Sequence, residues 1–257
     1  MSKAATSAVR ARVVQSDLGA GAALEPVPDE GALQVAVWSA NNPYFDEKRL
    51  ERRLLLVGEH RINIRQAWKP DGKGGTEIGY GAVVYPSAVV LADELREVAL
   101  DGKRVVELGA GHGFVSIAAA VLGAAQVVCT DGDEGSCSLA AVNVADNSVE
   151  GTVEVSRMLW GDEEMQRAVR PPFDVVVAAD VAAMVYEEAF ASLVECLLAM
   201  STEESLILLA YEKRHGTERK FFHKLAKFFT WEERKPRHPD FCDVEAMWVL
   251  QLKRKPR

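Results

Sequence analysis

The sequence has few cysteines and no long apolar run, and each shortage excludes a class of protein. No apolar run approaches the roughly 20 residues that cross a bilayer, so association with a membrane is not expected. No cysteine belongs to a Cys-x-x-Cys pair or has a histidine at ligand spacing, so neither a disulfide scaffold nor a metal site is expected. The cysteines are Cys129, Cys137, Cys196 and Cys242. Reduced cysteines are typical of the cytoplasm, where we place the protein, with the nucleus as a second location.

The sequence also has fewer basic than acidic residues. The 30 Lys and Arg residues are outnumbered by 38 Asp and Glu residues, which gives a formal net charge of −8 and an isoelectric point near 5.3. An acidic protein has little electrostatic affinity for phosphate backbones, so binding to nucleic acid is not expected. The length of 257 residues allows one large α/β domain with an N-terminal extension, which we expect to be a monomer.

The most informative segment is Arg104-Val-Val-Glu-Leu-Gly-Ala-Gly-His-Gly113. It predicts a buried strand that enters a glycine-rich turn, and the turn opens a helix over residues 114–122. Three glycines let the backbone approach a ligand closely, and a helix start offers unpaired N–H groups, so this corner is typical of nucleotide binding. The G-x-G-x-G spacing differs from the G-x-G-x-x-G of dinucleotide enzymes.

Two acidic residues narrow the choice of ligand. Glu107 lies just before the turn, where it would repel a pyrophosphate but attract an ammonium or a sulfonium. S-adenosylmethionine carries both groups and is the cofactor we predict. Asp131 ends a β-branched run about 20 residues past the turn, where an acid accepts both ribose hydroxyls. The alternative for Asp131 is a helix cap, a role that Asp133 fits better because the next helix begins near Glu134.

Strands and helices alternate from residue 104 onward. The predicted strands span 104–108, 126–130, 152–156, 173–179 and 205–211, and the helices lie near 113–122, 134–146, 187–200 and 217–228. This alternation predicts a parallel sheet with helices on both faces. Two further strands are predicted at 231–234 and 244–252. In the second, the pattern of apolar and polar residues alternates as in an antiparallel strand inserted into the sheet. The fold class is therefore α/β, a Rossmann-like sheet of seven strands with the last one antiparallel.

The N-terminal part divides into two segments. Residues 1–30 are rich in Ala, Gly and Ser, and we expect them to be disordered. Residues 31–257 form the predicted domain, with an N-terminal extension over 31–100 and the cofactor-binding core over 101–257. The extension is predicted to contain a β-hairpin between Arg53 and Gln66 and a helix that Pro86 opens.

Several motifs in order resemble the seven-β-strand methyltransferases, and more narrowly the protein lysine methyltransferases of methyltransferase family sixteen. The resemblance covers about residues 53 to 252. The matching segments are Gly79 to Tyr85 followed by Pro-Ser-Ala-Val-Val-Leu-Ala, Val106-Glu-Leu-Gly-Ala-Gly-His-Gly113, Thr130-Asp131, Leu159-Trp-Gly161, Ala179-Asp180 and Ala210-Tyr-Glu-Lys-Arg214. The resemblance implies methyl transfer from S-adenosylmethionine to a lysine side chain of a protein substrate.

The resemblance also implies which residues bind the cofactor. Gly109, Ala110 and Gly111 would line its methionine end, and Asp131 would hold the ribose. Trp160 would lie against the adenine, since a purine stacks well on an aromatic face.

The remaining implied residues lie at the end where the methyl group is transferred. Ala179 would form the floor of the site, and Tyr85 stands where the family usually carries a tryptophan that contacts the cofactor. The family typically continues with Asp-x-x-Tyr, which makes Asp180 and Tyr186 the candidate catalytic residues. This chain departs from that spacing, since it reads Asp180-Val-Ala-Ala-Met-Val-Tyr186. Either about three residues are inserted and Tyr186 supplies the aromatic ring, or that element is lost.

The departure after Asp180 leaves two other functions open. One is a small-molecule or arginine/histidine methyltransferase, because fold alone does not select the substrate. The other is a non-catalytic methyltransferase-like scaffold. A histidine inside the glycine turn, His112, could act as an acid or base, but turn positions are chosen for their backbone angles, so we expect it to present only its backbone.

Overall fold

The structure is a computed structural model that describes residues 47–69, 76, 78–182, 188–213, 216 and 218–256. The segment 1–30 that the sequence predicts to be disordered lies outside these ranges, and so does the candidate residue Tyr186. No helix within the described residues is long and apolar enough to cross a membrane.

An antiparallel hairpin precedes the main sheet, as predicted. Strand β1 (Arg52–Val57) pairs with β2 (His60–Arg65), and a short 3₁₀ turn, Glu47–Arg49, comes before them. Alternate residues of each strand are buried, because successive side chains of a strand point to opposite faces. The buried face of β2 packs against helices of the main domain, so the hairpin is fixed to it.

The main sheet has seven strands in the spatial order β5-β4-β3-β6-β7-β9-β8. The strands are β3 (Arg104–Leu108), β4 (Gln126–Asp131), β5 (Val153–Arg157), β6 (Val175–Ala179), β7 (Leu206–Glu212), β8 (Phe229–Arg234) and β9 (Met247–Arg254). Strands β3 to β7 are parallel, and β9 lies antiparallel between β7 and β8. The prediction of seven strands with an inserted antiparallel last strand is confirmed.

Helices cover both faces of this sheet. They are α1 (Pro86–Glu94), α2 (Phe114–Val121), α3 (Glu134–Asp146), α4 (Glu163–Ala168), α5 (Phe190–Met200) and α6 (Glu218–Leu225). The sequence did not predict α4, because half of its six residues are charged and six are too few to show an apolar period. Its N-terminus is capped by Asp162, whose carboxylate accepts hydrogen bonds from the backbone of Glu164 and Met165.

Neighbouring residues of each central strand enter different apolar layers. Val105 packs with α1, α2, α3 and the hairpin, whereas Val106 packs with α5 and α6. Both side chains are fully buried, as expected of a parallel strand covered on both faces. Because the five parallel strands share one direction, their carboxyl ends meet at one edge of the sheet, and loops from that edge can form a single site.

Candidate active site

A cleft of about 780 Å³ opens at the carboxyl edge of the parallel strands. Its size lies within the roughly 300–1,000 Å³ of small-molecule sites. Loops that follow β3, β4, β5 and β6 contribute to its lining, as do the last residue of β7 and residues of the N-terminal extension. The described candidate residues all line this cleft: Tyr85, Glu107, Gly109, Ala110, Gly111, Asp131, Trp160, Ala179 and Asp180.

The glycine turn lets the walls of the cleft approach each other. Gly111 has a φ of +55°, and a Cβ added there would lie 2.8 Å from both Cα and the carbonyl oxygen of Gly81. At Gly109, with a φ of +69°, a Cβ would lie 3.1 Å from Val181 and 3.2 Å from the ring of Trp160. The sequence predicts close approach of a ligand at this turn. The structure shows that the same absence of side chains also admits a neighbouring loop and an aromatic ring.

Replacing Gly111 by Ala therefore tests the close approach. We expect a loss of about 2–5 kcal/mol in the free energy of unfolding, from a strained backbone and from a Cβ forced against Gly81. The measurement is urea-induced unfolding. Gly102→Ala is the matched control, because Gly102 has a similar φ of +71° but nothing within 4 Å of its added Cβ. Equal losses in the two variants would mean that backbone strain alone explains the effect.

Glu107 is a buried carboxyl at the base of the cleft. It is 2% exposed, and its Oε2 accepts hydrogen bonds from the backbone N of Ser116 at 2.8 Å and from the Ser116 hydroxyl at 2.6 Å. These bonds fasten the end of β3 to the first turn of α2. Burial, followed by the nearby charge of Asp131, raises the pKa of Glu107 to about 8, although the Ser116 donors oppose the shift. Near neutral pH this group can gain or lose a proton.

Asp131 organises the next part of the wall. Its Oδ2 accepts from the backbone N of Gly111 at 2.8 Å, and its Oδ1 accepts from that of Asp133 at 2.9 Å. A carboxylate has about four acceptor positions, so these two bonds do not exhaust its capacity to accept from a ligand hydroxyl. Burial raises the pKa of this carboxyl, and the backbone N–H groups of Asp133, Gly111 and Gly132 oppose that rise. Asp133 caps α3 by accepting from the backbone N of Ser136 at 2.7 Å, as predicted.

The remaining candidates follow β5 and β6 and also line the cleft. Trp160 follows β5 and lies beside Gly109. Asp180 follows Ala179 at the end of β6, and its backbone N donates to the carbonyl of Ala210 at 2.8 Å. Its φ of +61° is uncommon for a residue with a side chain, although Asp tolerates it better than most. Such conformations cluster at functional sites, where surrounding structure holds them.

His112 has a structural role that the sequence analysis missed. The ring is buried, and its Nδ1 accepts a hydrogen bond from the backbone N of Phe114 at 3.2 Å, which satisfies a donor at the start of α2. Burial, and then the positive charge of Arg53, lower the pKa of His112 to about 3. The imidazole is neutral at physiological pH. The prediction that His112 presents only its backbone was therefore wrong, because its side chain caps the helix.

Some residues that line the cleft were assigned no role from the sequence. Glu212 ends β7 within a matched motif, and its place at the carboxyl end of a predicted parallel strand was an available signal. Lys48, Ile78 and Tyr80 reach the cleft from the N-terminal extension. Tyr80 lies within the matched segment Gly79 to Tyr85, which was an available signal, whereas Lys48 and Ile78 lie outside every matched motif.

The chemistry of the wall suits S-adenosylmethionine. Asp131 offers a carboxylate suited to accepting from hydroxyls, and the ring of Trp160 offers a face suited to a purine. Acids outnumber basic residues in the described lining, which suits a ligand with two positive groups. The described lining residues include five acids and one Lys: Glu107, Asp131, Asp133, Asp180, Glu212 and Lys48. No cluster of three or more metal-ligating side chains occurs within the described residues.

Comparison with known proteins leads to the same class. A family model described as lysine methyltransferase matches residues 68–228. Protein N-lysine methyltransferase METTL21A of Danio rerio is 35% identical over 184 residues, which are 70% of this chain and 79% of that protein. Protein-lysine methyltransferase METTL21E of Mus musculus is 36% identical over 167 residues, 60% of this chain and 65% of that one.

A solved structure supports the fold. A Streptococcus mutans protein described as a SAM-dependent methyltransferase superposes with a TM-score of 0.59 at 18% identity, covering 79% of this chain and 56% of that one. This likeness and the sheet order show a Rossmann-like fold of seven strands. With the family model, they define a seven-stranded methyltransferase whose cofactor is S-adenosylmethionine. The chain belongs to the lysine methyltransferase family. The predictions of fold, cofactor and enzyme class are confirmed.

Proposed function

We propose that this enzyme transfers a methyl group to a lysine side chain of a protein substrate, with Asp180 positioning the amine. We further propose a monomeric cytoplasmic enzyme, present also in the nucleus, whose catalytic domain spans residues 31–257. The observation that carries the substrate class is the pair of acids at the carboxyl ends of β6 and β7, Asp180 and Glu212, which both line the cleft. A cationic side chain entering between those strands meets negative charge, whereas a neutral or anionic substrate gains nothing from it.

The residues around the pair support the deprotonation that lysine needs. When bound, S-adenosylmethionine supplies an electrophilic methyl group, so the accepting amine must be neutral. With an ordinary pKa near 10.4, loss of that proton at pH 7 costs about 4–5 kcal/mol. Apolar side chains that line the same cleft, namely Pro86, Val181 and Ala189, disfavour the charged amine. The Asp180 carboxylate can hold the amine in line and accept its proton through water.

Labelling decides between this function and its alternatives. The enzyme is incubated with methyl-labelled S-adenosylmethionine and a cell extract, and labelled polypeptides are hydrolysed and analysed for methylated amino acids. We expect label in methyl-lysine of one or a few polypeptides. Label confined to small molecules, or to arginine or histidine, would overturn the substrate assignment. Cofactor binding without turnover would instead indicate a scaffold.

The raised pKa of Glu107 predicts a pH dependence of cofactor binding. A bound cation lowers the pKa of this carboxyl from about 8, so binding releases a proton and affinity rises with pH towards that value. Between pH 6.5 and 8 we expect a gain of about 5- to 10-fold relative to Glu107→Gln, measured by calorimetry. Titration of the ligand's own amino group, which has a pKa near 8, affects both proteins equally and therefore cancels in this comparison. Parallel pH profiles for the two proteins would contradict the prediction.

Raising the pH has the opposite effect on the stability of the ligand-free protein, which it lowers. As pH rises from the ordinary carboxyl pKa near 4.5 towards 8, the unfolded chain gives up this proton first, so the folded state is progressively disfavoured. The Glu107→Gln variant lacks that contribution, and its free energy of unfolding should fall less over the same range.

A further inference from the structure

Lys48 holds a distinctive position in the cleft. It belongs to the 3₁₀ turn Glu47–Arg49, ahead of the hairpin, and its Nζ lies 4.9 Å from the centroid of the Tyr85 ring. Among the described residues that line the cleft, it is the one Lys or Arg, against five acids. A negatively charged group of a ligand is therefore more stable near Lys48 than near the acids of this wall.

Two buried side chains fix the Lys48 turn to the start of α1. Gln66 donates from Nε2 to the carbonyls of Glu47 at 2.9 Å and Leu50 at 2.7 Å, and its Oε1 accepts from the backbone N of Val84 at 2.8 Å. Arg53 pairs with the Glu47 carboxylate and donates to the carbonyl of Val84 at 3.1 Å. Both therefore join the turn to the residue just before Tyr85. Because both side chains are buried, they hold the turn in a fixed position relative to α1.

The wall beside Lys48 also carries a helix N-terminus. Helix α1 starts at Pro86, and Tyr85, Pro86 and Ala88 from its first turn line the cleft. The side chain of the N-cap residue, Tyr85, makes no capping hydrogen bond to this end of the helix. The positive end of the helix dipole and the Lys48 ammonium therefore act on the same region of the cleft. The ring of Tyr85 lies under the ammonium and favours its position there.

The cofactor brings three charged groups to this cleft. The ammonium and the sulfonium are matched by the acids, but the α-carboxylate would be repelled by them wherever no donor stands against it. We propose that Lys48 binds the α-carboxylate of S-adenosylmethionine, with the start of α1 as the supporting dipole. This inference concerns the cofactor and does not depend on the identity of the methyl acceptor.

Calorimetry with two ligands tests the assignment in the full-length protein without any methyl acceptor. S-adenosylmethionine and decarboxylated S-adenosylmethionine differ by the carboxylate alone. We expect Lys48→Met to lower the affinity for S-adenosylmethionine by about 10- to 100-fold, as for the loss of one hydrogen bond between charged groups. Its affinity for the decarboxylated ligand should stay within about threefold of the unchanged protein.

Two further variants serve as controls. Lys48→Arg keeps the cation and should retain the preference for the carboxylate-bearing ligand. Lys103→Met removes an exposed lysine that lies 3.9 Å from Asp174 at the opposite edge of the sheet, and it should change neither affinity. An equal loss for both ligands in Lys48→Met would show that Lys48 only supports the wall, and no loss for either would show that it does not contact the cofactor. Either result overturns the proposal, and neither bears on whether lysine is the methyl acceptor.

Discussion

Replacing Asp131 by Ala should lower the affinity for S-adenosylmethionine by about 100- to 10,000-fold. If Asp131 holds the ribose, the variant loses two hydrogen bonds from ribose hydroxyls to a partly buried carboxylate, each worth about 1.5–3 kcal/mol. It also leaves the backbone N–H groups of Gly111 and Asp133 without their acceptor, so the glycine turn loses a support. Calorimetric titration with S-adenosylhomocysteine measures the effect without turnover.

A second capping aspartate separates ligand binding from simple loss of structure. Asp162→Ala removes acceptors from two backbone donors at the start of α4, outside the lining of the cleft. It should cost about 0.5–2 kcal/mol of stability while leaving cofactor affinity unchanged. If Asp131→Ala bound the cofactor as well as Asp162→Ala does, the ribose assignment would be wrong.

Replacing Asp180 by Asn should lower kcat by about 100- to 10,000-fold, the usual contribution of a positioned acid or base. Asn adopts the left-handed backbone region about as readily as Asp, so the φ of +61° is preserved. Because Asp180 is proposed to serve the methyl acceptor, cofactor affinity should change by less than about threefold. The rate of methyl transfer is measured under single-turnover conditions with the acceptor polypeptide that the labelling experiment identifies.

Asp180→Gly provides the matched control for backbone strain. Glycine occupies a positive φ without cost, so this variant should be at least as stable as the unchanged protein. It nevertheless lacks the carboxylate and should share the loss of turnover. Normal turnover in Asp180→Gly would assign Asp180 a purely conformational role, and the proposed positioning of the amine would be withdrawn.

The strand pattern was predictable because parallel strands carry their own signal. Each of the runs that begin at Arg104, Gln126 and Val175 is short, apolar and bounded by turn residues. The inserted β9 was predictable because its apolar and polar residues alternate with a period of two, which is typical of an antiparallel strand. Helix α4 was not, because a single charged helical turn has no apolar face to reveal it.

The candidate site was predictable where it follows a strand end. Glu107, Asp131 and Asp180 each stand at or just past the carboxyl end of a strand, and topology brings those ends together. Lys48 was not predictable, because it comes from an extension whose docking depends on buried bonds such as those of Gln66. The role of His112 also depended on the local geometry of its ring.

The sequence by itself determined the class of ligand and the layout of the core, because glycine spacing, strand periodicity and acids at strand ends are local properties of the chain. Only the tertiary structure decided which charge faces which part of the cleft. Lys48 and Glu212 are 164 positions apart in the numbering, yet both line it. Burial also raised the pKa of Glu107 and lowered that of His112. Desolvation depends on what packs around a group, and packing is set by residues distant in the chain.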